Sequence, residues 1–240
     1  MPVATALRRV AATRYATALR EGGSLPGLVE ADDDGLYVVK FTGAGQGARA
    51  LVAEVVVGEL ARALGLPVPE LVVVGVDPEL ARAEPDAEIR DLVSASPGPN
   101  LGVDFLPGAL PFLASGFRPD ADLAADVVWL DALTTNVDRT PQNPNLLLWH
   151  DRMWLIDHGS ALFLQRGGID PAGHVLLPYA GSIAHADERL APRVDRPLLE
   201  ALVALVPEQW LSDRWPVEYL ERRLAEPRGF VEEAERARPS

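Results

Sequence analysis

The feature that most constrains this chain is a pair of apolar runs set around a short polar turn. Leu146-Leu147-Leu148-Trp149 and Met153-Trp154-Leu155-Ile156 flank His150-Asp151-Arg152. Runs separated by so few residues pair antiparallel, and the chain returns to the end it left. Residue 157 is thereby expected near residue 143. The first run is preceded by a polar, proline-containing loop from Asn136 to Asn145, and the second is broken by Asp157-His158-Gly159. The hairpin gathers Asn143, Asp157 and, one loop turn away, Asp138.

The rest of the chain supplies the frame for that hairpin. Gly27–Glu30 and Leu36–Phe41 flank Asp32-Asp33-Asp34-Gly35 and read as a second hairpin. A glycine-rich loop over 43–48 leads to apolar residues at helical spacing from Arg49 to Leu64, closed by Gly65. Residues 71–76 read as a buried strand and Asp86–Ser94 as a helix. The Pro/Gly-rich stretch Ser96 to Pro107 reads as a hinge or domain boundary. Beyond it, Leu123–Leu133, Pro197–Val206 and Val217–Ala225 read as helices. Strands and one helix first, helices later, predict an α+β fold of two lobes, residues 1–105 and 106–240. The first 20 residues hold four arginines and no acid, a faint transit-peptide signature. The preferred reading is an amphipathic first element with Val10, Tyr15 and Leu19 as its apolar contacts, in a cytoplasmic protein.

Composition narrows the chemistry. With 240 residues the chain can bury a sizeable core, and the absence of cysteine excludes disulfides, zinc thiolates and a cysteine nucleophile. A net charge of −13 argues against nucleic acid as a partner. No apolar run approaches the roughly 18–20 residues of a membrane span. All but one of the 22 basic residues are arginine. The exception, Lys40, ends an apolar strand, which suggests a site needing a compact ammonium rather than a planar fork.

Two carboxylates and an amide oxygen form a hard-oxygen site suited to Mg²⁺, and phosphoryl transfer requires such a site. Asp138 to Asn143 has the Asp-x-x-x-x-Asn spacing of a kinase catalytic loop, and Asp157-x-Gly159 stands where a metal-binding Asp-Phe-Gly would. Glu54 lies 14 residues after Lys40 in the following helix, placed to ion-pair with it. Asn136 is a candidate buttress for Asp138, and Arg139 a candidate partner for acids in the segment after the metal site. Asn145 reads equally as an orienting residue or plain loop. Trp129, Trp149 and Trp154 read as core.

On these residues the chain resembles the HipA-like kinases, relatives of the HipA serine/threonine kinase toxins. The resemblance runs through Tyr15–Phe41, Gly47–Glu70, Gly98–Leu110 and Trp129–Leu162. It implies a bilobal protein-kinase-like fold with ATP and Mg²⁺ in the cleft. By position it assigns Lys40 to phosphate binding, Asp138 to the catalytic aspartate, and Asn143 and Asp157 to the metal. Gly22, Gly23 and Ser24 fall in the phosphate loop, which lacks the Gly-x-Gly-x-x-Gly pattern. His158 stands in place of the Phe of protein kinases, and Thr140 where lipid kinases carry histidine. Ser24 is expected to bond its own turn, although HipA toxins are silenced by phosphorylation of a serine in this loop. The expected activity is transfer from ATP to a protein Ser/Thr hydroxyl. The alternatives are a pseudokinase that binds nucleotide or a partner, and a small-molecule kinase.

Overall fold

A computed structural model describes residues 5–19, 26–44, 47–82, 84–163, 170–211, 215–225 and 227–239. Among them the N-terminal part is built on a closed barrel with strand order β1-β2-β3-β5-β4. These strands are β1 (Arg8–Ala18), β2 (Gly27–Ala31), β3 (Leu36–Lys40), β4 (Leu71–Val76) and β5 (Gly98–Asp104). Every neighbouring pair is antiparallel except β1 with β4, which closes the ring in parallel. β4 is apolar throughout because both its faces are covered. Val72, Val74 and Val76 point into the barrel with Val10, Val29, Val39 and Phe41, while Leu71 and Val73 join the second core. Helix α2 (Ala87–Ser94), capped by the Asp86 carboxylate, contributes Ile89 and Val93 to the barrel's core.

The amphipathic first element is strand β1, mostly exposed, with Val10 in the barrel core and Tyr15 packed against it, and with register shifts against β2. One departure from the expected elements concerns this barrel. The expected hinge at Ser96–Pro107 is strand over Gly98–Asp104, paired with both β3 and β4. Its glycine has a packing reason: a Cβ on Gly102 would sit 2.6 Å from Val74 and 2.8 Å from Val72. Glycine here answers close approach across the barrel rather than a turn.

Helix α1 (Gly47–Leu64) is apolar on nearly all sides because it lies between the barrel and the C-terminal helices. It ends at Gly65 (φ 95°), with Leu66 N–H bonded to Ala61 O and Gly65 N–H to Arg62 O. After β5 the chain forms β6 (Leu110–Pro111) and α3 (Phe112–Ser115), then α4 (Ala121–Thr134), the most deeply buried helix of the C-terminal part. Strands β7 (Leu146–Trp149) and β8 (Arg152–Leu155) form the expected hairpin, with β6 on the β7 edge. The turn is His150-Asp151, both with φ near +50°, a two-residue turn whose twist matches the strands. Trp129 is core, but Trp149 and Trp154 are only half-buried, stacked edge-to-face 5.7 Å apart on the hairpin. Helices α5 (Ile183–Leu190), α6 (Arg196–Val203), α7 (Trp215–Leu224) and α8 (Gly229–Ala237) complete the fold. Among the described residues no helix is long and apolar enough to cross a membrane.

Candidate active site

Strand pleating aims Lys40. Tyr37 and Val39 point into the barrel, so Lys40 projects from the opposite face toward α1. There its Nζ donates to Glu54 Oε1 and, at 2.7 Å, to Asp157 Oδ1. Three segments distant in sequence meet at this ammonium: the end of β3, the middle of α1 and the second residue after β8. Glu54 is 2% exposed and has both oxygens engaged, the second accepting the His158 backbone N–H at 2.9 Å. Gly159 permits this approach, since a Cβ there would lie 3.0 Å from Glu54 Oε1.

The electrostatics follow from depth. Burial alone would depress the Lys40 ammonium, but Glu54 and Asp157 outweigh it and raise its pKa. Burial also works against the Asp157 carboxylate, yet the Lys40 charge holds it well below the usual carboxylate range. Glu54, the deeper acid, is lifted above its ordinary value by burial, against the pull of Lys40 and with help from Asp157. Asp157 adopts φ 57°, a left-handed conformation that Asp tolerates better than most residues. Its side chain retains 43% exposure, so an ionised carboxylate faces the cleft beside the ammonium.

Asp138 sits in the loop after α4. Its backbone N–H donates to Asn136 Oδ1 at 3.2 Å, and its Oδ2 accepts from Ser160 Oγ at 3.4 Å. Ser160 thereby joins Asp138 to the turn that follows Asp157. Asn143 is exposed, in a turn closed by reciprocal backbone bonds with Thr140. The ladder continues past Leu146 and Leu155 through Ile156 N–H to Asn145 O, which brings this turn beside residue 157. The Asn143 side chain contacts none of Lys40, Glu54, Asp138 or Asp157 by hydrogen bond. Gly22, Gly23 and Ser24 lie outside the described residues.

Beneath these groups is a buried polar cluster. Asp131, near the end of α4, is 1% exposed and accepts from Arg139 Nε at 2.5 Å, His174 Nε2 at 2.9 Å and Asn136 Nδ2 at 3.0 Å. Leu176 N–H donates to His174 Nδ1, so His174 carries its proton on Nε2, toward Asp131. Burial opposes the Asp131 charge, but the Arg139 guanidinium and the His174 bond hold it well below the usual carboxylate range. His158 is buried and pushed down to about 3, by burial first and then by Arg139, so it is neutral. Sequence reasoning aimed Arg139 at acids beyond the metal site; its partner is instead Asp131, in the helix before it. Asp131, His174 and Ser160 were missed. The one available signal was an acid inside the apolar run Val127–Leu133, which only a buried partner makes tolerable.

Among the described residues no cluster of three or more His, Cys, Asp or Glu could hold a metal. Asp157 and Asn143 are hard-oxygen donors that reach solvent, one of them kept ionised by Lys40. One carboxylate and an amide leave most positions to phosphate oxygens and water, the arrangement Mg²⁺ prefers. The donor set fits that ion.

Comparison with solved structures finds kinases. The proinflammatory kinase CtkA of Helicobacter pylori superposes with a TM-score of 0.57 at 16% identity, over 93% of this chain and 96% of that one. The Golgi casein kinase with Mn and ADP bound gives a TM-score of 0.57 at 14% identity, over 96% of this chain and 74% of that one. The protein thus has a bilobal protein-kinase-like fold. No curated protein matches it in sequence. The sequence model of the HipA-like kinases matches residues 14–218, and the chain belongs to the HipA-like kinase family.

Proposed function

We propose that the protein is an ATP- and Mg²⁺-dependent phosphotransferase whose lobes, residues 1–105 and 106–240, enclose the nucleotide. The observation that carries this reading is the Lys40 ammonium shared by Glu54 and Asp157 across the two lobes. Lys40 steadies the phosphate oxygens of ATP, and Glu54 holds it in place. Asp138 accepts the proton of the acceptor hydroxyl, with Ser160 fixing one of its oxygens and leaving the other free. Asn143 and Asp157 would hold Mg²⁺, which when bound neutralises phosphate charge. Gly22, Gly23 and Ser24 are assigned to the phosphate loop by family resemblance. The Golgi casein kinase, a structural neighbour, binds Mn and ADP, which supports nucleotide and divalent metal here. The acceptor class proposed is a protein Ser/Thr hydroxyl, and the compartment the cytoplasm.

Purified protein with γ-labelled ATP, with and without Mg²⁺, tests the reading. Metal-dependent ADP formation or labelled protein is expected, and a lysate screen then identifies the acceptor. A nucleotide-induced melting shift with no turnover would replace the enzyme by a nucleotide-binding pseudokinase. Transfer to metabolites alone would replace the protein acceptor by a small molecule.

A further inference from the structure

Arg139 stands out among the groups the proposed chemistry leaves unused. Its guanidinium is fully buried, an environment in which a charge persists only when its donors are matched. Nε donates to Asp131 at 2.5 Å. Nη1 donates to the Asn145 carbonyl at 2.5 Å and lies 3.4 Å from that of Ile156, while Nη2 lies 3.4 Å from His158 Nδ1. Asn145 and Ile156 are the cross-strand pair at the open end of the β7–β8 hairpin, and Ile156 immediately precedes Asp157. Arg139 itself immediately follows Asp138. Its own carbonyl accepts Val175 N–H at 3.0 Å, and the same Asp131 carboxylate receives His174. One side chain therefore fastens the loop of Asp138, the strand end carrying Asp157 and the chain returning at 174–175 onto helix α4.

We propose that Arg139, anchored by Asp131, is a positioning residue for phosphoryl transfer that fixes the separation of Asp138 from Asp157. The inference rests on the phosphotransferase reading, in which those two carboxylates act on opposite ends of one transfer. Only a planar fork with several donors can hold Asp131 and the hairpin end at once. A lysine can satisfy the carboxylate as a point charge but not the carbonyls as well. The consequence belongs to the transfer step more than to nucleotide binding, because Arg139 adjoins Asp138 in the chain and bonds neither Lys40 nor Glu54 directly.

Two variants separate positioning from mere stability. Arg139→Lys keeps a cation for Asp131 and loses the fork. The double variant Asp131→Asn/Arg139→Gln removes both charges and leaves neither unpaired. Each is compared with the parent by thermal unfolding and by kcat and KM for ATP. The expectation is cooperative unfolding close to the parent's, KM within about twofold and kcat lower by about a hundredfold, the scale of a misplaced catalytic group. A folded Arg139→Lys with parental kcat overturns the inference, as does a KM that rises in step with the fall in kcat. If the double variant fails to fold, Arg139→Lys alone decides. A parent that forms no ADP contradicts the phosphotransferase reading and this inference together. A parent that turns over beside an equally active Arg139→Lys contradicts this inference alone.

Discussion

Lys40 serves two carboxylates of unequal depth, and that inequality governs how the residues around it respond to change. The shallower Asp157 stays ionised while the deeper Glu54 is lifted toward neutrality. Asp131 poses a simpler case, a buried acid matched to a buried guanidinium. The single substitution Asp131→Asn leaves the Arg139 charge without its counterion, and is expected to cost about 3–5 kcal/mol of stability in urea unfolding. A cost below about 1 kcal/mol, the range of exposed pairs, would contradict the buried pairing. The same acid sets a pH dependence. Its depressed folded pKa contributes stability that is present above the ordinary carboxylate value of about 4 and lost as pH falls through the folded one. In that window the unfolded chain takes up the proton first. Acidification from about pH 6 to about pH 3 is therefore expected to weaken the parent more than Asp131→Asn/Arg139→Gln, which lacks the group. Equal losses would refute the assignment.

Elements differ in how plainly their residues announce them. Both hairpins and helices α1, α4, α6 and α7 are legible, because their apolar periodicity agrees with their turns and caps. The β7–β8 hairpin alone places Asp157 beside the loop of Asp138, since a tight turn leaves one register. β5 is illegible for the opposite reason. Gly98, Pro99 and Gly102 mimic a linker, whereas Gly102 is there because Val72 and Val74 press on it from β4. Gly102→Ala is accordingly expected to lower stability by about 1–3 kcal/mol through overpacking, measured as a shifted denaturant midpoint. A neutral or stabilising alanine would show β5 to be the connector its composition suggests. β1 hides because its partners, β2 and β4, are set by barrel closure and not by local pattern. In α1, Leu60 is fully buried, and Leu60→Ala is expected to cost about 2–5 kcal/mol. A loss under about 1 kcal/mol would contradict its place at the centre of the core.

At the scale of the molecule, one core runs from β4 through α1 to the helices after α4, so the two parts share packing as well as the Lys40 contacts. The lone lysine, its pairing with the glutamate in α1, and the hairpin acid were legible; the arrival of Asp157 on the same ammonium was not, because it depends on how α1 lies between the lobes. Asp131, Arg139 and His174 were less legible still, since nothing local marks which buried charge pairs with which. The family membership and the kinase fold stand independently of the site, whereas the roles of Lys40, Asp138, Asn143 and Asp157 stand on transfer chemistry. The most direct measurement is γ-phosphate transfer from ATP in Mg²⁺ by the parent, Lys40→Met and Asp157→Asn, each verified to unfold cooperatively. Transfer by the parent and losses of at least about a hundredfold in both variants are expected, because groups that hold phosphate charge are removed. Undiminished transfer by either folded variant would contradict those roles.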